Sequence, residues 1–467
     1  MTALVTPIAL TAAMVAQATG GRLVGGASSR TFAGVSTDSR VPQPGKLFVA
    51  LQGDRFDGHA FLDQALANGA TGLVVTKIPA TPTSVPIVVV ADTLVALQQL
   101  AREVRRLSGT IVIAVTGSAG KTTTKEVTAD LLSIGHRVYR SHGNLNNHIG
   151  VPLSLLELVD RPELAVIELG MNHAGEIRTL VALAEPEVRV WTNVGDAHIG
   201  HFQSRAAVAE AKAEILEHAQ PETLVIANAD DKLVMSHAAG FKGRLRTFGE
   251  APSAGVRASD IVDRGFDGTA ATVTTPAGEL QVRVPLPGRA HLSNVLAAIA
   301  VALEFGIPTT AIPGVIQSLM PVRRRGASVV LASGARLIDD SYNASPAAVR
   351  AALQALAATP TAGRRVAVLG EMLELGASND ALHRECGRAA AHAGVDLLVA
   401  VGGGAARALA EGASSAGLSA DRVHVFEDSA AAADRVASLL LPGDLVLVKG
   451  SRGTRTDVIV DRLAEVA

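Results

Sequence analysis

Hydrophobic residues fall along this chain in short runs separated by polar, glycine-bearing turns, and the texture changes twice. Up to residue 107, strand-sized runs at 46–51 and Gly72–Val75 alternate with turn clusters such as Gln52-Gly53-Asp54. The Pro- and Thr-rich stretch 78–86 predicts a loop. From Ile111 the pattern becomes strand, loop, helix. Buried strands are predicted at Ile111–Thr116, Leu164–Glu168, 189–194 and 223–227, each followed by apolar residues at helical spacing. That alternation predicts a parallel sheet covered by helices. A third such series starts near Pro321, with strands predicted at 365–369, 396–401 and 444–448. The expectation is an α/β protein of three domains, 1–107, 108–320 and 321–467, with no repeat, heptad array or low-complexity tract.

Length agrees, since 467 residues at roughly 100–200 per domain make about three domains. Hydrophobic residues are 48% of the chain and aromatics only 3%, so the cores must be aliphatic. A formal charge of −2 gives no footing for nucleic acid or an anionic membrane, so any phosphate must be held by a local site. Cys386 is the single cysteine, which excludes an intramolecular disulfide and suits a reducing compartment. Residues 2–21 are uncharged but interrupted by Pro7 and Gln17, and the first basic residue is Arg22, unlike a secretory signal. No apolar run of ~18 residues suggests a membrane span. A cytoplasmic protein is expected.

The strongest local signal is the strand Val112-Ile113-Ala114-Val115-Thr116 running into Gly117-Ser118-Ala119-Gly120-Lys121-Thr122-Thr123-Thr124. Glycines let successive backbone N–H groups turn toward phosphate oxygens, and the following helix adds the positive end of its dipole. Lys121 then supplies charge to the β- and γ-phosphates, and the Thr122 hydroxyl can reach Mg²⁺. Glu168 ends the next apolar run, and ligands of open α/β sheets sit outside the carboxyl ends of strands. It reads as a Mg²⁺ carboxylate or, more blandly, as a helix cap or surface charge. His198, in the loop after another such strand, is open between a structural hydrogen-bonder and a site residue. Lys212 lies in the helical stretch 206–218, on the same stripe as Val208, Ala211 and Ile215. A lysine there either snorkels outward or must be neutralised, for example by CO₂ carbamylation to a metal-ligating anion. Spacing alone favours snorkelling.

These residues resemble the Mur ligases along essentially the whole chain. The phosphate loop continues as Thr124-Lys125-Glu126, as in that family. Gly143-Asn144-Leu145-Asn146-Asn147-His148-Ile149-Gly150 is similar to the asparagine-rich loop of the member that adds D-alanyl-D-alanine. Asp339-Asp340-Ser341-Tyr342-Asn343-Ala344 and Leu369-Gly370-Glu371-Met372-Leu373-Glu374-Leu375-Gly376 look like two further marks of that member, and Lys449-Gly450-Ser451-Arg452 is similar to a C-terminal signature. The resemblance implies a central P-loop ATPase domain, a Rossmann-like C-terminal α/β domain that binds the amine substrate and closes on ATP, and an N-terminal domain for a UDP-sugar. It implies ATP-dependent amide ligation in peptidoglycan precursor synthesis, on UDP-N-acetylmuramoyl-tripeptide and D-alanyl-D-alanine, by a monomer with two Mg²⁺ ions.

Residue roles follow from the same resemblance. Gly117, Ser118, Ala119, Gly120, Lys121, Thr122 and Thr123 would hold ATP, with Asn294, Arg325 and Asp340. Thr122, Glu168, His198 and a carbamylated Lys212 would serve the metals. Ser39 and Arg40, in Asp38-Ser39-Arg40, and Asp57-Gly58-His59 resemble the segments around the UDP-sugar. Asn144, Asn146, Asn147 and Asn343 would face substrate. Two departures stand out. Ala290 and His291 occupy the place of the family's His-Asn before the matched asparagine, and Arg324 stands where glycine is usual before the matched arginine. Rival readings are a ligase adding a single stem residue, a folylpolyglutamate-type ligase, a P-loop kinase and a nucleotide-switched module. The first lacks a matching C-terminal motif here, the second lacks the Asp38-to-His59 type of segment, and the last two leave the amine substrate or the Glu168–Lys212 constellation without a purpose.

Overall fold

The computed structural model describes residues 6–53, 56–80, 82–195, 202, 204–321 and 323–465. Three sheets account for the three textures. The first has strands β1 (Arg22–Val24), β2 (Val35–Ser36), β3 (Leu47–Val49), β4 (Gly72–Val75) and β5 (Ile87–Val89), in the order β1-β5-β4-β3-β2. The second carries nine strands: β6 (Ile111–Thr116), β7 (Val138–Arg140), β8 (Leu164–Glu168), β9 (Val188–Trp191), β10 (Leu224–Asn228), β11 (Arg244–Gly249), β12 (Val256–Asp263), β13 (Thr269–Thr275) and β14 (Gly278–Val284). Their order is β14-β13-β12-β11-β10-β9-β6-β8-β7, parallel from β7 to β12 and antiparallel beyond. The third comprises β15 (Ala327–Val330), β16 (Arg336–Asp340), β17 (Arg365–Gly370), β18 (Leu397–Val401), β19 (Val423–Phe426) and β20 (Leu445–Lys449), in the order β15-β16-β20-β17-β18-β19. The fold is a three-domain α/β architecture.

The runs read from hydrophobicity are strands, several with the predicted bounds: β4, β6 and β8 coincide with them. Two bounds move. The run at 189–194 pairs only as Val188–Trp191, and the helix expected over 206–218 ends at Ala213, passing into a 3₁₀ turn, Glu214–Leu216. The strands β11 to β14 lie beyond the expected series. Their signal is the alternation of Leu280, Val282 and Val284 with exposed Gln281 and Arg283, after the turn at Pro276-Ala277.

Cores follow the sheet faces. One continuous apolar cluster joins Leu47, Val74 and Val88 of the first sheet to Ala114 and Ile167 of the second and to Leu155 of the helix Gly150–Leu156. The helix Thr93–Ser108 lies within it. Asp92 caps its first turn by accepting from the Leu94 and Val95 amides at 2.7 and 3.0 Å, and Gly109, at φ 67°, ends it. It buries Leu97, Leu100, Ala101 and Val104, and Arg105 ties it to the second sheet by donating to the Ala184 and Glu185 carbonyls. The third sheet has its own two clusters, one on each face. No described helix is long and apolar enough to cross a membrane.

Candidate active site

The carboxyl ends of β6, β8 and β9 meet at one corner of the second sheet. β6 delivers Thr116 into the loop 117–120, and the helix Lys121–Leu132 opens from Gly120. Gly117 and Gly120 have φ of 151° and 80°, and a Cβ on either would collide with its neighbours, at 1.9 Å from the Thr192 hydroxyl and 2.1 Å from the Asn294 amide oxygen. The loop is held from outside by Asn193, just past β9. Its carbonyl accepts from Ser118 N at 3.0 Å, its side-chain oxygen from Ala119 N at 2.9 Å, and its amide donates to the Ala119 carbonyl at 3.1 Å. Neither Asn193 nor Thr192, which donates to Ala119 O at 2.8 Å, carries a sequence motif. The available signal is their place at a strand's carboxyl end beside the phosphate loop.

Lys121 is half-buried and donates to the Gly117 carbonyl at 2.8 Å, closing the loop on itself. Burial pushes its ammonium below the usual lysine range; Glu168 opposes that and Arg325 reinforces it. The Thr122 hydroxyl donates to Glu168 Oε2 at 2.9 Å, and the Asn146 amide to Oε1 at 2.8 Å. Glu168 is buried, 3% exposed, yet its two side-chain donors are neutral. A hydroxyl and a carboxylate meeting at one point are hard oxygen donors, the set that suits Mg²⁺. Asn294 is buried beside this helix, its side-chain oxygen 3.4 Å from the Thr124 hydroxyl.

Lys212 corrects the snorkelling expected from spacing. It is 1% exposed, and among the described residues it has no hydrogen-bonding or ionic partner. Burial, and secondarily the charge of Lys121, hold its amine well below the ordinary lysine range. The structure thus gathers Lys121, Thr122, Asn146, Glu168, Asn294, Lys212 and, through its charge, Arg325. His198 lies outside the described residues.

The third sheet brings its residues to the same corner. Arg325 stacks on Tyr342, 4.2 Å from the ring centre. Asp340 and Lys449 end the neighbouring strands β16 and β20 as register partners, and Lys449 Nζ donates to Asp340 at 2.7 Å and to the Asn343 carbonyl at 3.0 Å. Arg324 sits at φ 62°, which explains why glycine suits that position. Its guanidinium turns away to Asp457 and Asp461, at 2.7 and 3.2 Å. His291 faces these cations. Its Nδ1 is shut from solvent without a partner among the described residues, and burial, then Arg325 and Lys449, lower its pKa to about 4. His383, by contrast, is a structural group, accepting from Met372 N at 2.9 Å through Nε2.

The remaining expected contacts are elsewhere. Ser39 donates to Gln64 at 3.1 Å, and exposed Arg40 clasps Asp38, lowering that carboxyl to about 2. His59 is held by Asp57 and Thr76, so it shapes its loop through both ring nitrogens. Asn147 caps the helix Gly150–Leu156 and lines a cavity of about 160 Å³ with His148, Gly170 and Glu176. Among the described residues, no hydrogen bond joins the side chains of Ser39, Arg40, Asn144 or Asn343 to the nucleotide corner.

Comparison with known proteins accords with this geometry. Three family models match: Mur ligase family, catalytic domain, over residues 31–105; Mur ligase middle domain, over 115–302; and Mur ligase, glutamate ligase domain, over 324–452. The chain is 40% identical to the UDP-N-acetylmuramoyl-tripeptide–D-alanyl-D-alanine ligase of Escherichia coli K12, over 93% of this chain and 94% of that one. It is 36% identical to the Bacillus subtilis protein of the same name, over 92% and 93%. A crystal structure of MurF from Acinetobacter baumannii superposes with a TM-score of 0.89 at 34% identity, covering 99% of this chain and 100% of that one. MurF ligase from Thermotoga maritima in complex with ADP superposes at 0.80 with 28% identity, over 92% and 97%.

Proposed function

The chain belongs to the Mur ligase family, and from that premise we propose that it joins D-alanyl-D-alanine to UDP-N-acetylmuramoyl-tripeptide, converting ATP to ADP and phosphate. The observation that carries the reading is the chain of contacts Thr122–Glu168–Asn146, which ties the phosphate loop to the asparagine-rich loop through one carboxylate.

A carboxylate is a poor electrophile, and amide formation in water is uphill. Attack of the tripeptide's terminal carboxylate oxygen on the γ-phosphorus, with ADP leaving, gives an acyl phosphate. The amine of the dipeptide then attacks the acyl carbon, phosphate departs, and the amine nitrogen loses its extra proton. The first step brings two anions together, and unit charges ~4 Å apart repel by about 4 kcal/mol at an effective dielectric near 20. Lys121 and Arg325 supply positive charge there, and Thr122 and Glu168 would hold Mg²⁺, which would supply more. The acyl phosphate must be kept from water. That requirement falls to the third domain, which carries Arg325, Asp340 and the amine site over the nucleotide.

In this reading the domain boundaries lie near residues 107 and 320, His198 serves a second Mg²⁺, and the protein acts as a cytoplasmic monomer. Ser39, Arg40, Asn144, Asn147 and Asn343 bind the two substrates. Lys212 is carbamylated: burial disfavours its ammonium and so favours the free amine that attacks CO₂, and the product is an anion within reach of the Lys121 charge. Enzyme treated with ¹³CO₂ should show a carbamate carbon resonance that the Lys212→Met variant lacks.

The deciding experiment is phosphate release from Mg·ATP. Release that requires both UDP-N-acetylmuramoyl-tripeptide and D-alanyl-D-alanine is expected. Turnover with a single amino acid and the dipeptide-stage precursor would move the enzyme one step earlier, and no amine-dependent release would overturn the ligase reading.

A further inference from the structure

Lys125 lies one helical turn beyond Lys121 on the phosphate-loop helix, and nothing in the chemistry above uses it. It is nevertheless 0% exposed. Its ammonium has three acceptors for three protons: the Ser141 carbonyl at 2.6 Å, Glu126 Oε1 at 3.0 Å and the Gly143 carbonyl at 3.4 Å. The Glu126 counter-charge is itself fixed by Arg140 at 2.8 Å. Two of the three acceptors are therefore the carbonyls of Ser141, just before the asparagine-rich loop, and Gly143, its first residue, and a buried cation is being used to anchor backbone.

The anchored segment leads to the metal carboxylate by two routes. Ser141 Oγ accepts from the Glu168 backbone N–H at 3.2 Å. Further along, the Asn146 carbonyl accepts from Gly170 N at 2.8 Å while its amide donates to Glu168 Oε1. Gly170 lets the loop lie this close, since a Cβ there would be 2.8 Å from the Asn146 side chain. At the far end Asn147 fixes the loop to the first turn of the next helix. Between these two ends, among the described residues, Asn146 is the one whose side chain hydrogen-bonds to Glu168.

We infer that Lys125 is a positioning residue for the metal site: by pinning the Ser141 and Gly143 carbonyls it fixes the loop from which Ser141 and Asn146 orient Glu168. It touches neither nucleotide nor substrate. The inference rests on Glu168 being the Mg²⁺ carboxylate. A bond network that orients a ligand in this way is worth about 10–100-fold in metal affinity or activity.

The test is calorimetric binding of a non-hydrolysable ATP analogue to the full chain, with Mg²⁺ and with EDTA, alongside the Mg²⁺ dependence of turnover. Lys125→Met should weaken binding about 10- to 100-fold in Mg²⁺ and less than ~3-fold in EDTA. The half-saturating Mg²⁺ concentration should rise in parallel, with the KM for D-alanyl-D-alanine unchanged. Asn146→Ala should do the same, and the double variant should lose little more than either alone, because both act through Glu168. Equal weakening with and without Mg²⁺ would make Lys125 a support of the phosphate-loop helix and overturn the inference, as would unchanged binding. Should Lys125→Met not fold, Lys125→Gln, a shorter neutral side chain, decides by showing the Mg²⁺-selective loss or by binding normally. Glu168→Gln separates the two levels: if it keeps normal Mg²⁺-dependent binding, the assignment of Glu168 fails rather than the anchor.

Discussion

Glu168 and Asp340 occupy matching places in two different sheets, each ending a parallel strand and each facing the corner where the second and third domains meet. Their surroundings are opposite. Glu168 accepts from a hydroxyl and an amide, and among the described residues no cation hydrogen-bonds to it. Asp340 meets the buried ammonium of Lys449 at 2.7 Å, its register partner on β20. A carboxylate held by neutral donors attracts a cation from outside; one already matched to a cation is a latch. The same topology leaves a carboxylate held by neutral donors in one sheet and an ion pair in the other, and the difference lies in the residue types on the neighbouring elements.

That contrast can be broken by substitution. Glu168→Gln should lower phosphate release by at least ~10²-fold, as loss of several kcal/mol of metal-borne stabilisation implies. The apo protein's melting temperature should hold or rise, since a carboxylate buried without a hydrogen-bonded cation is removed; a clear fall would show that Glu168 is a structural group. Asp340→Asn should do the reverse in stability. It leaves Lys449 buried without its counter-charge, which costs about 3 kcal/mol and lowers the third domain's melting by roughly 5–10 °C. Calorimetry of the two variants side by side decides.

His291 sharpens the comparison because it lies between the two regions. Its folded-state pKa, about 4, is below the ordinary 6.5, so the neutral ring stabilises the fold fully above pH 6.5. That contribution, about 3 kcal/mol at most, is lost as pH falls from 6.5 toward 4. Denaturant midpoints measured across that window should fall less steeply for His291→Asn. The smallest effect is expected at Arg324→Gly. Relief of a left-handed φ and loss of the part-exposed pairs to Asp457 and Asp461 oppose each other, leaving a change within about 1 kcal/mol by the same measurement.

The nucleotide corner is readable in the sequence because its signals are local: the strand, the glycines and Lys121 are contiguous, and Glu168 terminates an apolar run. The partners are not readable. Asn193 braces the phosphate loop from 74 residues away, and Asn146 reaches Glu168 across 22. Spacing misplaces Lys212 because periodicity reports which face a residue occupies, not whether that face has room for its charge. Family resemblance restores it to the site, and its burial agrees. The antiparallel strands β12 to β14 escape the sequence reading although their alternation is plain, because a series of strand–helix units invites continuation.

One feature of the third sheet bears on how the chain is made. β20 is last in chain order but lies between β16 and β17, at the middle of the sheet. Synthesis from the N-terminus can complete the core shared by the first two sheets long before β20 exists. Until then β16 and β17 have no neighbour to join them, Asp340 has no Lys449, and their edges stand open to other chains. The core shared by the first two sheets can therefore fold on the ribosome ahead of the third sheet, which is complete only once β20 has emerged to join β16 to β17.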